Sequence, residues 1–154
     1  MSLFVARNYQ LVAGTGKAST TLNAFDRALQ NAGVSHFNLV KVSSILPPNA
    51  KPGSVAVLPA GGVLFSAIAA IESDIHGELI SAAVSVGIPK DPKQHGVIME
   101  LHLHGSSKEI EEQVREMARV ALADRNIELL RVESIAVETI VTECNSAFAA
   151  VVLW

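Results

Sequence analysis

The sequence predicts an α+β fold: stacked antiparallel or mixed sheets flanked by helices, rather than a doubly wound parallel sheet. Three observations predict it. The order of segments is strand, helix, strand, several further strands, a second helix and two closing strands. Both helices carry apolar residues along one side only, so the strands must form the bulk of the core. Of the 154 residues, 49% are hydrophobic and only 18% charged, which is ample for a core and apolar enough that other subunits are expected to cover part of the surface.

The first strand is expected over "NYQLVA", 8–13, closed by "GTG". The following "GTGKAST" lacks phosphate-loop spacing and reads as a turn. Thr20 or Thr21 caps a helix running to about Ala32, with Leu22, Phe25, Leu29 and Ala32 as its stripe and Gly33 as its stop. "HFNLVKVSSI" alternates as a strand, with Phe37, Leu39 and Lys41 on one face and Asn38, Val40 and Val42 on the other. Three apolar runs follow as strands, "GVLFSAIAAI", "ELISAAVSVGI" and "GVIMELHLH". Ser106 opens the second helix with Glu109 completing a capping box, and Ile110, Val114, Met117, Ala118 and Ala121 make its stripe. "IELLRVESIAVETIV" and "AFAAVVLW" end the chain as strands. No repeat, low-complexity tract or linker interrupts this order, so residues 1–154 read as a single domain.

Several function classes drop out. A net charge of −3 without a Lys/Arg cluster argues against nucleic acid or an anionic membrane surface as partner. Cys144 is the one cysteine, which leaves no disulfide framework and suits a reducing cytoplasm. The apolar run in "MSLFVARNYQ" is too short for a signal peptide. Pro52 to Ile71 carries no charge and has the length of a membrane span, but Pro52, Gly53, Pro59, Gly61 and Gly62 break its first half, so no span is expected. No G-x-S-x-G elbow is present.

Three features carry possible chemistry. In "ELHLH", strand alternation places Glu100, His102 and His104 on one face against Met99, Leu101 and Leu103 on the other. With His95 nearby, that face reads either as a divalent-metal site or as polar surface. Asp26 lies beside the apolar stripe of the first helix, as a cation-binding carboxylate facing a cleft or as a surface residue paired with Arg27. The third feature is the doublet Ser43-Ser44 before "ILPP". On the pair alone turn chemistry is the favoured explanation, because serine doublets before prolines are common. The reactive alternative is that the second hydroxyl attacks the preceding carbonyl in a bent backbone. The resulting ester eliminates across Cα–Cβ, leaving dehydroalanine, which hydrolyses to a pyruvoyl group and ammonia.

The wider context bears on that choice. "LNAFDRALQNAGV", "NLVKVSSILPP", "GELISAAVSVGIPKD", "GVIME", "REMARVA", "ESIAVE" and "AFAAVVLW" together resemble the pyruvoyl-dependent arginine decarboxylases, in the family's order and over nearly the whole chain. The resemblance implies self-cleavage between Ser43 and Ser44 into a β chain, 1–43, and an α chain, 44–154, whose first residue becomes the pyruvoyl cofactor. It implies that Asn38 positions cleavage and substrate, that Glu100 is the acid near the pyruvoyl, and that Asp26 receives the guanidinium. It further implies an αββα sandwich, a homotrimer with sites between subunits, and arginine as substrate. The amine would be held as a Schiff base, CO₂ lost and Cα reprotonated, giving agmatine without pyridoxal phosphate or metal. The "HLH" after Glu100 departs from the family pattern, which keeps a metal-dependent enzyme on Glu100, His102 and His104 as an alternative. An uncleaved, non-catalytic trimeric scaffold is the other.

Overall fold

The computed structural model describes residues 2–154. Strand β1, Asn8–Ala18, is followed by helix α1, Thr21–Asn31. Four strands come next: β2, Asn38–Lys41; β3, Ile45–Leu46; β4, Lys51–Pro52; and, after a 3-10 turn at Val55–Val57, β5, Val63–Ser73. Strands β6, Leu79–Pro89, and β7, Gly96–Leu103, lead into helix α2, Ser107–Asp124. Strands β8, Leu129–Ile140, and β9, Cys144–Leu153, complete the chain.

The strands form a five-stranded sheet in the order β2-β5-β9-β1-β4 and a four-stranded sheet in the order β3-β7-β6-β8. Most neighbours are antiparallel; β2 with β5 and β1 with β4 are parallel. The inner faces meet through small and β-branched residues, Ala67, Ala149 and Val151 against Ala82, Val84 and Ile98. α1 covers the outer face of the first sheet, where Ala28 packs on Val12 and Phe148. α2 covers the outer face of the second, with Ile110 and Val114 over Ala83, and Ala118 and Leu122 over Val97. The layers are therefore α, β, β, α, the expected fold class. β6 and β9 are buried on both faces, which is why their sequences run apolar without alternating.

Four expectations change. The first strand does not close at "GTG" but continues to Ala18. Gly14 and Gly16 lie under α1, where a Cβ would stand 2.3 Å from the Ala28 carbonyl oxygen and 2.2 Å from that of Ala24. They permit close approach of helix to strand rather than a turn. For the same reason the buried line of α1 is Ala24 and Ala28, while Leu22 faces outward at 76% exposure. Met117 on α2 is likewise exposed, and Leu122 takes the inner position.

The fourth change concerns "HFNLVKVSSI". Only Asn38–Lys41 pairs with β5, in the first sheet, whereas Ile45 pairs with Val97, in the second. Residues 42–44 carry the chain across from one sheet to the other. Helix signals hold where sequence chemistry is local: Thr20 accepts from the Asn23 amide, Ser106 from the Glu109 amide, and Gly33 takes φ +78° at the end of α1. Among the described residues no helix is long and apolar enough to cross a membrane.

Candidate active site

The crossing segment is held at both ends by main-chain hydrogen bonds. The Val42 amide donates to the Ser66 carbonyl of β5 at 3.0 Å, and the Ile98 amide of β7 donates to the Ser44 carbonyl at 2.8 Å. Ser43 is exposed and Ser44 half-buried between these anchors, with Pro47-Pro48 just beyond β3. A short stretch pinned on two sheets cannot relax into either ladder, so the Ser43–Ser44 peptide bond stays outside regular structure.

Glu100 stands two residues beyond Ile98 on β7. Ile98 belongs to the inter-sheet core, while Met99, Leu101 and Leu103 pack under α2. Period-two alternation therefore turns Glu100 to the inter-sheet side, the side of Ser44. It is half-buried, and its Oε2 is buried without a hydrogen-bond partner among the described residues. Burial pushes its carboxyl above the ordinary range, and the charge of Lys41 partly opposes that rise.

The other candidates lie apart. Asn38 begins β2, with its Nδ2 donating to the Gly61 carbonyl at 3.0 Å. β2 is extended, so Asn38 and Val42 stand roughly 13 Å apart, and Ser44 lies further on. Asp26 is on the exposed side of α1, behind the first sheet, where Gln30 Nε2 donates to its Oδ2 at 2.6 Å. The Arg27 pairing does not form among the described residues, because adjacent helical side chains diverge. One copy thus brings Ser44 and Glu100 together and leaves Asn38 and Asp26 elsewhere.

The histidines do not gather around Glu100. β7 ends at Leu103, so His104 leaves the alternation and its Nδ1 sits 3.6 Å from Glu78 Oε2. His102 is exposed, and His95 Nδ1 lies 3.1 Å from the Gly96 carbonyl oxygen. Among the described residues no group of three His, Cys, Asp or Glu side chains is arranged to hold a metal. The residue that sequence reasoning passed over is Lys41, taken only as one position on a strand face. Its charge opposes the effect of burial on Glu100, an influence between segments far apart in the chain that a strand pattern does not announce.

The family model described as pyruvoyl-dependent arginine decarboxylase matches residues 8–154. A curated protein of that name from Methanocaldococcus jannaschii is 50% identical over 144 residues, covering 94% of this chain and 87% of its own. The protein of the same name from Methanococcus aeolicus is 46% identical, covering 94% and 87%. That from Thermococcus kodakarensis is 38% identical over 142 residues, covering 92% and 90%.

Proposed function

The chain belongs to the pyruvoyl-dependent arginine decarboxylase family, and from that premise we propose that it cleaves itself between Ser43 and Ser44 and decarboxylates L-arginine to agmatine. The observation that carries the reading is the sheet crossing: Ser44 is tied by its main chain to the strand that holds Glu100, and the bond to be cut lies outside both ladders.

In the maturation step Ser44 Oγ attacks the Ser43 carbonyl carbon, and the Ser43–Ser44 amide becomes an ester as the nitrogen leaves. Loss of the Ser44 α-proton expels the Ser43 carboxylate and leaves dehydroalanine at 44. Water then releases ammonia. The products are residues 1–43 and a chain of 111 residues beginning with a pyruvoyl group. The surroundings of Ser44 suit that group: the carbonyl next to it is already fixed by the Ile98 amide, and a buried, unpartnered acid oxygen stands on the same strand. When formed there, the pyruvoyl group would supply a ketone to bind the substrate amine and an adjacent amide carbonyl as the electron sink for loss of CO₂.

Glu100 then returns a proton to the substrate Cα, a task served by a carboxyl whose burial favours the protonated form. Asp26 supplies the planar anionic partner for a guanidinium. Since Asp26 and Asn38 lie away from Ser44 in one copy, a second copy brings them to the site. Leu22 stands four residues before Asp26 on the exposed side of α1, and Val40 is exposed on β2, giving apolar surface for that contact. We take the assembly to be a cyclic homotrimer with the site between copies. A reducing cytoplasm accords with the free thiol of Cys144. Intact-mass spectrometry with an agmatine assay tests the whole reading: a single unmodified chain that forms agmatine at the full rate would sink it.

A further inference from the structure

The residues ahead of β1 close one end of the gap between the sheets. The Arg7 and Asn8 amides both donate to the Trp154 carbonyl, at 2.8 and 2.9 Å. Ala6 is buried in the inter-sheet core, and the Phe4 ring stands 5.2 Å from the ring of Phe65, which packs on that same core. Leu3, between the two sides of this segment, is 82% exposed. The family match begins at residue 8, so the segment lies outside it.

Both flanks of the Ser43–Ser44 bond rest on this segment. On the near side, β2 is a four-residue edge strand with Val40 in register beside Phe65, and the Val42 amide is bonded to Ser66, the next residue of β5. So short an edge strand has little else to hold it. On the far side, the Lys51 amide donates to the Arg7 carbonyl at 2.9 Å, and Leu46 shares the core that buries Ala6. We propose that residues 4–7 are a positioning brace for self-scission, Phe4 steadying the near flank through Phe65 and the Arg7 carbonyl holding the far flank through Lys51. This rests on scission at that bond. A hydroxyl attacks the preceding carbonyl only from a near-attack geometry, and slack at either flank lowers the share of molecules that hold it. After the cut the brace belongs to 1–43 and Lys51 to 44–154, so the same contacts keep the new terminus in place.

The test times the appearance of chains of 43 and 111 residues in freshly synthesised full-length protein. It is run at a temperature where the Ser44→Ala counterpart of each variant is fully folded by its melting curve. Phe4→Ser should slow scission roughly two- to tenfold, the worth of one aromatic pair. Phe4→Tyr keeps the ring and should restore the rate, and Leu3→Ser, at an exposed position, should leave it unchanged. In the full chain with Ser44→Ala, Phe4→Ser should speed hydrogen exchange at the Val42 and Lys51 amides by a similar factor and leave the amides of the central strand β6 unmoved. Scission of Phe4→Ser at the wild-type rate overturns the inference, as does equal slowing by Leu3→Ser, or Val42 and Lys51 amides that exchange no faster. A wild-type chain that stays intact would instead remove the self-scission reading beneath it, and shows itself before any variant is compared.

Discussion

The Ser44 main-chain carbonyl accepts the Ile98 amide hydrogen at 2.8 Å, and this bond sets the second serine of the doublet two strand residues from Glu100. The two residues are 56 positions apart in sequence and meet because the chain changes sheets between Lys41 and Ile45. Five outcomes follow from this geometry and from the packing around it.

Purified protein should contain chains of 43 and 111 residues, the longer with a blocked, ketone-bearing N-terminus. Ser44→Ala removes the attacking oxygen and should give one intact, inactive chain, read by mass spectrometry and denaturing gel. Normal scission in Ser44→Ala would require a different nucleophile.

Glu100→Gln keeps volume and a hydrogen-bond donor but carries no transferable proton. Scission should proceed, and turnover should fall by roughly two to four orders of magnitude. The pH dependence has a definite sign. Burial raises the Glu100 carboxyl, so the protonated, competent form persists above the usual carboxyl range and is lost as pH rises through the raised value. The wild-type kcat should show that alkaline limb, and a wild-type profile in Glu100→Gln would assign it to another group.

Asp26→Asn should mature normally and lose roughly ten- to a hundredfold in kcat/KM for arginine, the range for one charge-assisted hydrogen bond of about 1.5–3 kcal/mol. Steady-state kinetics decide it. Unchanged values would leave Asp26 as the helix-surface partner of Gln30 and nothing more.

Asp26 lies behind the first sheet and Glu100 between the sheets, so one site should draw them from different copies. Co-expressed Asp26→Asn and Glu100→Gln chains should then regain activity, up to about a quarter of wild type for random mixing in a cyclic trimer. Light scattering should report three protomers. Mixed trimers no more active than the separate variants would put both residues of a site in one copy.

Gly14→Ala places a Cβ 2.3 Å from the Ala28 carbonyl oxygen, so α1 must move off β1. Overpacking of this kind costs about 1–3 kcal/mol, a drop in Tm of roughly 2–12 °C at fixed protein concentration. Gly33→Ala tests a different cause, a strained φ of +78° with open space around the added methyl. Equal melting temperatures for Gly14→Ala and wild type would show that helix and strand are not held by this contact.

Local chemistry alone determined the helices, their caps at Thr20 and Ser106 and the stop at Gly33, because each depends on residues three or four apart. The sequence also determined family membership, through similarity spread along 94% of the chain, and with it the serine doublet as the point of interest. Only the tertiary structure decided which neighbours those residues have. Gly14 and Gly16 read as a turn until a helix is laid across them, since a missing side chain does not announce what approaches it. His104 reads as a third site residue until the strand ends one position earlier. Lys41 reads as half of an alternation until the strand it closes proves to be the edge from which the chain crosses to the other sheet. Such facts depend on contacts between segments far apart in the chain, and a periodic pattern carries information only about the segment in which it repeats.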